Sequence, residues 1–148
     1  MMTPCKKLYY AVEAVLYIAY YSHEHPVSSR DIARQQGLPP RHLEQIMQKL
    51  VHGRILRGMR GPKGGYQLAK PSDQISIGEI CEMINEDDMI SDLPPTTELG
   101  EEVIRPFWEL LHAGVKDRLY VITIADLCDQ AVKKNIRNKA PQKLDSMA

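Results

Sequence analysis

Residues 60–68, RGPKGGYQL, place two cations on a turn that is rich in glycine and proline. The three glycines allow backbone conformations that other residues resist, and without side chains they let a phosphate group approach closely. An arginine on such a turn can enter the narrow minor groove of DNA, where the negative potential is strong. We therefore expect Arg60 and Lys63 to contact a polyanion; an ordinary hairpin turn that carries charge is the alternative.

A second set of polar side chains lies in LPPRHLEQIMQKLVHGR, residues 38–54. Arginine can pair with guanine, glutamine with adenine, and glutamate can accept from the amino group of cytosine. Apolar residues recur at helical spacing in the same segment, so the polar ones fall on the opposite face of an amphipathic helix. A solvated surface helix is the alternative to a reading helix. The apolar face consists of Leu43, Ile46, Met47 and Leu50, and the polar face of Arg41, His42, Glu44, Gln45, Gln48 and Lys49.

This helix follows a shorter helix and a tight turn. In VSSRDIARQQG, residues 27–37, Ser28 is followed three residues later by Asp31, as in a capping box, and Gly37 provides a stop. Two short helices joined by a turn that contains glycine are typical of a helix-turn-helix. Gly53 is expected to end the second helix, and ILRGM and GYQLA then resemble the two strands of a hairpin.

A longer helix is predicted at residues 6–22, before this unit. The complete order predicts a winged helix-turn-helix, within a mainly α fold that contains one small β-hairpin. The inward face of the first helix is expected to consist of Leu8, Val12, Val15, Leu16 and Ala19.

Three helices are predicted in the second half of the chain. SIGEICEMIN begins with Ser76 and Glu79 in a capping box, and TIADLCDQAVKK is capped by Thr123 and Asp126. Between them, VIRPFWELLHAGVKDRLY predicts a long helix that tolerates Pro106 only in its first turn. Its apolar stripe predicts a dimer interface, with an ordinary core as the alternative. The stripe consists of Phe107, Trp108, Leu110, Leu111, Val115 and Leu119.

The two halves of the chain carry opposite charge. Residues 1–70 contain eleven Lys and Arg against four Asp and Glu, a balance of +7, whereas residues 71–148 contain eight against fifteen, a balance of −7. Such asymmetry favours a polyanion on one half only, although two solvated halves that attract each other would look the same. We expect a DNA-binding region at 1–70, a helical dimerisation or effector region at 71–137 and a disordered tail at 138–148.

Several classes of protein are disfavoured. Cys5, Cys81 and Cys128 lie far apart and form neither a disulfide framework nor a zinc spacing. The five histidines form no metal-ligand spacing, and no nucleophile with a base and no nucleotide-binding loop is recognisable. We therefore do not expect an enzyme. Long apolar runs and a signal peptide are also missing, so we expect a cytoplasmic protein and not a membrane protein.

The order YYAVEAVLYIA, IARQQGLPPRHLEQIMQKL, MRGPKGGYQLAKP, ISIGEI and ITIADL resembles the Rrf2 family of bacterial transcription regulators over about residues 6 to 130. The resemblance implies a winged-helix homodimer that binds double-stranded DNA at a palindromic operator, with the fifth helix crossing its partner. We expect the protein to act as a repressor. By position, it implies base contacts from Arg41, His42, Glu44 and Gln45, and minor-groove contact from Arg60. The phosphate contacts that it implies are Lys7, Tyr9, Ser28, Ser29 and Lys63.

This chain departs from the family in two respects. The family often has Ser and Tyr where this chain has Arg41 and His42, which leaves the operator sequence open but not DNA binding. The larger departure concerns the cofactor. Many members bind an iron–sulfur cluster through three cysteines between the fourth and fifth helices, but EDDMISDLPPTTELGEEVIR, at that place, contains neither cysteine nor histidine. Iron–sulfur clusters are held mainly by thiolates, so we expect no cluster in this chain. We also expect no other cofactor and no metal. Three possibilities stay open. The chain could be a protein-interaction module, or a regulator that a partner enzyme controls. It could respond to a small-molecule effector, or sense redox state through Cys5, which lies next to Lys6 and Lys7.

Overall fold

The computed structural model describes residues 5–22, 25–84 and 97–136. Its elements follow the predicted order, and the mainly helical chain with one two-stranded hairpin confirms the predicted winged helix-turn-helix class. The predicted tail at 138–148 lies outside the described residues. The elements are α1 Lys6–Tyr21, α2 Ser29–Gln36, α3 Pro40–His52, β1 Leu56–Met59, β2 Gly65–Leu68, a 3₁₀ turn Ser72–Gln74, α4 Ile77–Ile84, a π-helical turn Gly100–Ile104, α5 Arg105–Val121 and α6 Ile124–Lys133.

Helix α1 forms the centre of the fold. It contacts α2, α3, α4, α6 and β2, and its alanines Ala11 and Ala14 are fully buried together with Ile18. Small side chains let neighbouring helices approach the α1 backbone, which fixes the inward face. The predicted inward face was therefore partly wrong: Val15 is fully buried, but Leu16 is only half-buried and lies outside the core.

One apolar core joins both halves of the chain. The predicted stripe of α3, Leu43, Ile46, Met47 and Leu50, is buried in it, as are Ile32 and Ala33 of α2. Helices α4 and α6 close the same core. The members from the second half are Ile75, Ile77, Ile80, Ile84 and Ile124.

The ends of α2 and α3 determine the geometry of the helix-turn-helix. Ser28 Oγ accepts a hydrogen bond from the Asp31 N–H at 3.2 Å, and Gly37 ends α2 with a φ of 65°. At the end of α3, however, Gly53 has an ordinary φ of −75°, and Arg54 takes the left-handed conformation with a φ of 60°. The prediction that glycine ends α3 was right about the place of the stop, but a different residue supplies the left-handed turn.

Helices α4 and α6 begin side by side. Ser76 and Glu79 cap α4 reciprocally through the two N–H groups, at 3.0 and 3.1 Å, and Thr123 and Asp126 do the same for α6. The backbone of Ser76 pairs with that of Thr123 in an antiparallel bridge. Both predicted capping boxes are confirmed, and the bridge fixes the two helix starts to each other.

Helix α5 begins after the π-helical turn, with Pro106 in its first turn as predicted. Proline has no N–H to donate and clashes with the carbonyl four residues earlier in a regular helix, whereas a wider turn relieves that clash. Within the part of the chain that the structure describes, no helix combines the length and apolar character needed to cross a membrane.

Candidate nucleic-acid interface

Strands β1 and β2 with the turn between them, residues 56–68, form a projecting hairpin, here called the wing. The strands pair antiparallel from Leu56 opposite Leu68 to Met59 opposite Gly65. The Gly64 N–H donates to the Gly61 carbonyl at 2.8 Å, which closes a tight turn around Pro62 and Lys63. Gly61 has a φ of 112°, a conformation open mainly to glycine. Arg60 and Lys63 are exposed at this tip.

The wing is attached to the residues that begin the helix-turn-helix. The Val27 N–H donates to the Tyr66 carbonyl at 3.0 Å, and the Tyr66 N–H donates to the Val27 carbonyl at 2.7 Å. A side chain at Gly65 would place its Cβ 2.4 Å from the Val27 carbonyl oxygen. Gly65 therefore permits contact with the protein's own backbone, a role that was not predicted for it.

Helix α3, here called the recognition helix, presents its polar side outward. Arg41, His42, Glu44 and Gln45 are all exposed, whereas the apolar stripe faces the core. Pro39 precedes the helix, and among the described residues no side chain caps its start. The positive end of the helix dipole is therefore directed at solvent, which favours an anion there.

The four predicted base-reading residues fall on different sides of the recognition helix. At 100° per residue, Glu44 lies on one flank and His42 on the other. Burial and the nearby carboxylate of Glu44 both raise the pKa of the Tyr66 phenol above its ordinary value. His42 and Gln45 instead line a cleft between the recognition helix, α1 and α4.

The predicted phosphate contacts are distributed around the same region. Lys7 and Tyr9 are exposed at the start of α1, and Lys7 lines the cleft beside His42. Ser28 and Ser29 are half-buried at the start of α2. The Ser28 hydroxyl accepts the cap hydrogen bond but keeps its own hydrogen for donation, so a phosphate contact is compatible with its cap role.

Sequence reasoning did not single out two exposed cations, Arg30 and Arg57. Arg30 lies in the first turn of α2, next to Ser29. Arg57 lies on β1, and its Nη2 donates to Gln67 Oε1 across the hairpin at 3.1 Å. The outward position of Arg57 could have been predicted, because successive side chains of a strand point to opposite faces and its neighbour Leu56 is apolar and buried.

Lys70, by contrast, serves the fold. Its Nζ lies 2.6 Å from Glu79 Oε1 and ties the end of the hairpin segment to the start of α4. Burial alone would raise the pKa of the Glu79 carboxyl, but hydrogen bonds from Lys70 and Ser76 outweigh burial and lower the pKa below its ordinary value. Lys70 is therefore a poorer candidate for DNA contact than Arg57.

Helix α5 carries a large exposed apolar face. Leu111 and Val115 are about two-fifths exposed, at 42% and 41%, and Leu110 is 77% exposed. A shallow groove runs along this face, with Gly114 in its middle, where no atom lies within 4 Å of the position of an added Cβ. The groove is lined by Phe107, Leu110, Leu111, Gly114, Val115 and Arg118.

The opposite face of α5 contacts α4 through few side chains. The Tyr120 ring lies against Gly78, where an added Cβ would approach the ring to 2.5 Å. Lys116 Nζ lies 3.2 Å from Glu82 Oε1. Burial and a hydrogen bond with Glu82 raise the pKa of Tyr120 to about 12. These contacts fix α5 on α4 and leave the apolar face uncovered by the described part of the protomer.

The three cysteines differ in exposure. Cys5 is exposed before α1, whereas Cys81 on α4 and Cys128 on α6 are half-buried. Burial raises the pKa of the Cys81 and Cys128 thiols above its ordinary value. Among residues 5–22, 25–84 and 97–136, no three His, Cys, Asp or Glu side chains are grouped to hold a metal ion. Within those ranges, the possible donors are therefore not grouped to hold an iron–sulfur cluster.

Comparisons with known proteins agree with this architecture. The sequence pattern of the Rrf2 family, described as an iron-dependent transcriptional regulator, matches residues 5–130. The transcriptional regulator IscR of Erwinia tasmaniensis is 35% identical over 126 residues, which cover 80% of this chain and 73% of IscR. The structure of IscR from T. potens is similar with a TM-score of 0.74 at 28% identity, covering 92% of this chain and 93% of that one. CymR, the global cysteine regulator of B. subtilis, is similar with a TM-score of 0.72 at 25% identity, covering 88% of this chain and 98% of CymR.

Proposed function

The chain belongs to the Rrf2 family of transcriptional regulators, and we propose that it is a homodimeric, sequence-specific repressor that binds a palindromic DNA operator. The family confirms the predicted regulatory function and the expectation that the protein is not an enzyme. The observation that supports DNA recognition best is the exposure of the polar face of α3 beside an exposed, cation-tipped wing.

In this proposal, the recognition helix enters the major groove and the wing reaches the adjacent minor groove. Arg41, His42, Glu44 and Gln45 contact base edges, while Arg60 occupies the minor groove. Lys7, Tyr9, Ser28, Ser29 and Lys63 contact phosphates, which position the protein without specifying sequence. The bridge between Val27 and Tyr66 supports this arrangement, because it holds the wing against the start of the helix-turn-helix.

The apolar face of α5 supports the homodimer. A helix of 17 residues is about 26 Å long, and a second copy crossing it would remove Phe107, Leu111 and Val115 from water. Gly114 lowers helix stability in a lone protomer, but it permits two helix backbones to approach each other closely. Two protomers joined in this way would present their recognition helices to half-sites about 34–36 Å apart.

We also propose that this regulator works without an iron–sulfur cluster. The described residues offer no group of ligands for one, and the segment between α4 and α5 contains no cysteine. The anaerobically purified protein should then lack the visible absorbance of a thiolate-bound cluster. A cluster spectrum that is lost on replacing Cys5, Cys81 or Cys128 by Ser would overturn this part of the proposal.

DNA binding is tested by fluorescence anisotropy with labelled duplexes from the promoter region of the protein's own operon. Arg60→Ala should weaken operator binding by about 5- to 150-fold, that is ~1–3 kcal/mol, and relax preference at one minor-groove position. Lys133→Ala, which removes an exposed cation from the last turn of α6, should leave the affinity unchanged. Binding that depends on neither salt nor sequence would contradict the proposal, because phosphate contacts make affinity fall with salt.

A further inference from the structure

A cleft with a volume of about 900 Å³ lies beside the recognition helix, and none of its described lining residues belongs to the wing. Its walls are the start of α1, the turn before α3, the side of α3 and the end of α4. Sites for small organic molecules have volumes of about 300–1,000 Å³. The described lining residues are Lys6, Lys7, Tyr10, Leu38, His42, Gln45, Ile46, Gln48, Lys49, His52, Met83 and Ile84.

The side chains of the cleft have two kinds of chemistry. Three lysines and two histidines line it, and no Asp or Glu is among its described lining residues. Tyr10, Leu38, Ile46, Met83 and Ile84 add an aromatic and aliphatic surface. Concentrated positive charge beside low-dielectric walls focuses the field and attracts anions. Apolar side chains add affinity for a ligand that has a hydrophobic body.

We propose that this cleft binds a small organic anion, a carboxylate with an aromatic or aliphatic body. The apolar wall distinguishes this ligand from the DNA backbone, since a phosphate gains nothing from contact with Ile46 or Met83. Lys6, Lys7 and Lys49 supply the charge for the carboxylate. The amides of Gln45 and Gln48 can donate hydrogen bonds to it.

Occupancy of the cleft would act on the recognition helix directly. His42 and Gln45 line the cleft and are also proposed to read bases. Met83 lies at the end of α4, where its sulfur is close to Gly53 at the end of α3. A bound anion would therefore contact α3 and α4 together. This consequence for operator binding rests on the proposed function, whereas binding of the anion does not.

The test uses the full-length protein without DNA. It is titrated by calorimetry with 1-naphthaleneacetate, with the neutral 1-naphthaleneacetamide and with inorganic phosphate, while NMR follows the imidazole resonances. Naphthaleneacetate should bind saturably and shift the His42 and His52 signals. Lys49→Gln should weaken this binding about tenfold, because it removes one charged partner. Lys63→Gln, which removes the same charge from the wing tip, should leave it unchanged.

Each of the following results would refute the proposed anion site. Equal affinity for phosphate would make the cleft a simple phosphate-contact surface, and equal affinity for the acetamide would make it an apolar surface without charge recognition. Equal losses in Lys49→Gln and Lys63→Gln would indicate general attraction to a basic protein. Absence of saturable binding would also refute the site. Since DNA is not present, none of these results depends on whether the protein recognises an operator.

Discussion

The recognition helix and α5 are both amphipathic, but within the described protomer only the recognition helix buries its apolar face. Helix α3 places Leu43, Met47 and Leu50 in the core with no exposed surface and turns its polar side outward. Helix α5 contains no fully buried residue and leaves Trp108 45% exposed and Leu110 77% exposed. Folding of one protomer accounts for the sequence pattern of α3. It does not account for the pattern of α5, whose apolar side the described part of the protomer leaves exposed.

The wing and α3 also differ from α5 in the contacts that hold them to the rest of the protomer. The wing and α3 are held by backbone hydrogen bonds and by the shared core. Helix α5 is held by the packing of Tyr120 on Gly78, by the partly buried Leu119 and by the exposed ion pair between Lys116 and Glu82. An exposed pair of this kind contributes little to stability. The proposed DNA-binding region is thus formed within the protomer, whereas the apolar face of α5, the proposed dimer surface, is left uncovered by the described residues.

The largest expected effect is on dimerisation. Leu111→Glu places a charge on the exposed apolar face of α5, where a partner helix would remove it from water. We expect the dimer dissociation constant to rise about 100-fold, that is ~3 kcal/mol. Helix content should not change, since Glu and Leu have similar helix propensities. Sedimentation velocity over a range of protein concentrations measures the dissociation constant.

The matched control is Val132→Glu, which adds the same charge at a side chain that is 58% exposed on α6. It should leave the dissociation constant unchanged. If Leu111→Glu dimerises as well as the unsubstituted chain, the contrast between α3 and α5 has another cause and the interface lies elsewhere.

The next effect concerns attachment of the wing. In Gly65→Ala, the new Cβ would lie 2.4 Å from the Val27 carbonyl oxygen and 2.9 Å from the Ser28 nitrogen. Both atoms belong to the backbone and cannot move aside cheaply, so we expect a loss of about 2 kcal/mol in the free energy of unfolding. Operator binding should weaken at least about tenfold, since the wing loses its position.

Gly58→Ala tests whether any alanine in the wing has this effect. Its Cβ would be 3.9 Å from the nearest atom, on the Tyr66 ring, which is an ordinary contact. Urea denaturation should show a change within about 0.5 kcal/mol. Equal losses in the two variants would mean that the hairpin itself, and not its bridge to Val27, determines the position of the wing.

Features that depend on neighbours in sequence could be predicted. The caps at Ser28, Ser76 and Thr123 each involve a partner three residues away, and all three are found. The stripe of α3 and the hairpin are equally local, so the exposure of the polar face of α3 was predictable. The same reasoning explains why the roles of Arg41 and Arg60 stay predictions, since they depend on DNA that lies outside the chain.

Features that join distant segments could not be predicted. The inward face of α1 depends on its neighbours in five other elements, and periodicity alone selected Leu16 over Ile18. The contact of Gly65 with Val27 joins residues that are 38 positions apart in the sequence. The cleft is formed by three helices, and sequence reasoning treated His42 and Gln45 as one set with Glu44 although they lie on different flanks.

The smallest expected effect tests the stop at the end of α3. Arg54 has a φ of 60°, which costs an L-residue about 1 kcal/mol because its Cβ approaches the carbonyl oxygen. The Ile55 N–H donates to the Leu50 carbonyl at 3.0 Å across this turn, so the conformation is fixed by the helix end. Arg54→Gly should raise the free energy of unfolding by about 0.5 kcal/mol, because part of the gain is offset by the greater entropy of the unfolded chain.

The comparison with α5 makes this small effect informative. Because the end of α3 is fixed within one protomer, the gain from Arg54→Gly should be the same at every protein concentration in urea denaturation. The loss from Leu111→Glu should instead increase with concentration, since it removes a contact between copies. Asn135→Gly is the matched control: Asn135 has a φ of 58° at the end of α6, and asparagine tolerates this conformation, so its gain should be smaller. A gain from Arg54→Gly that varies with concentration would mean that α3 also depends on the partner.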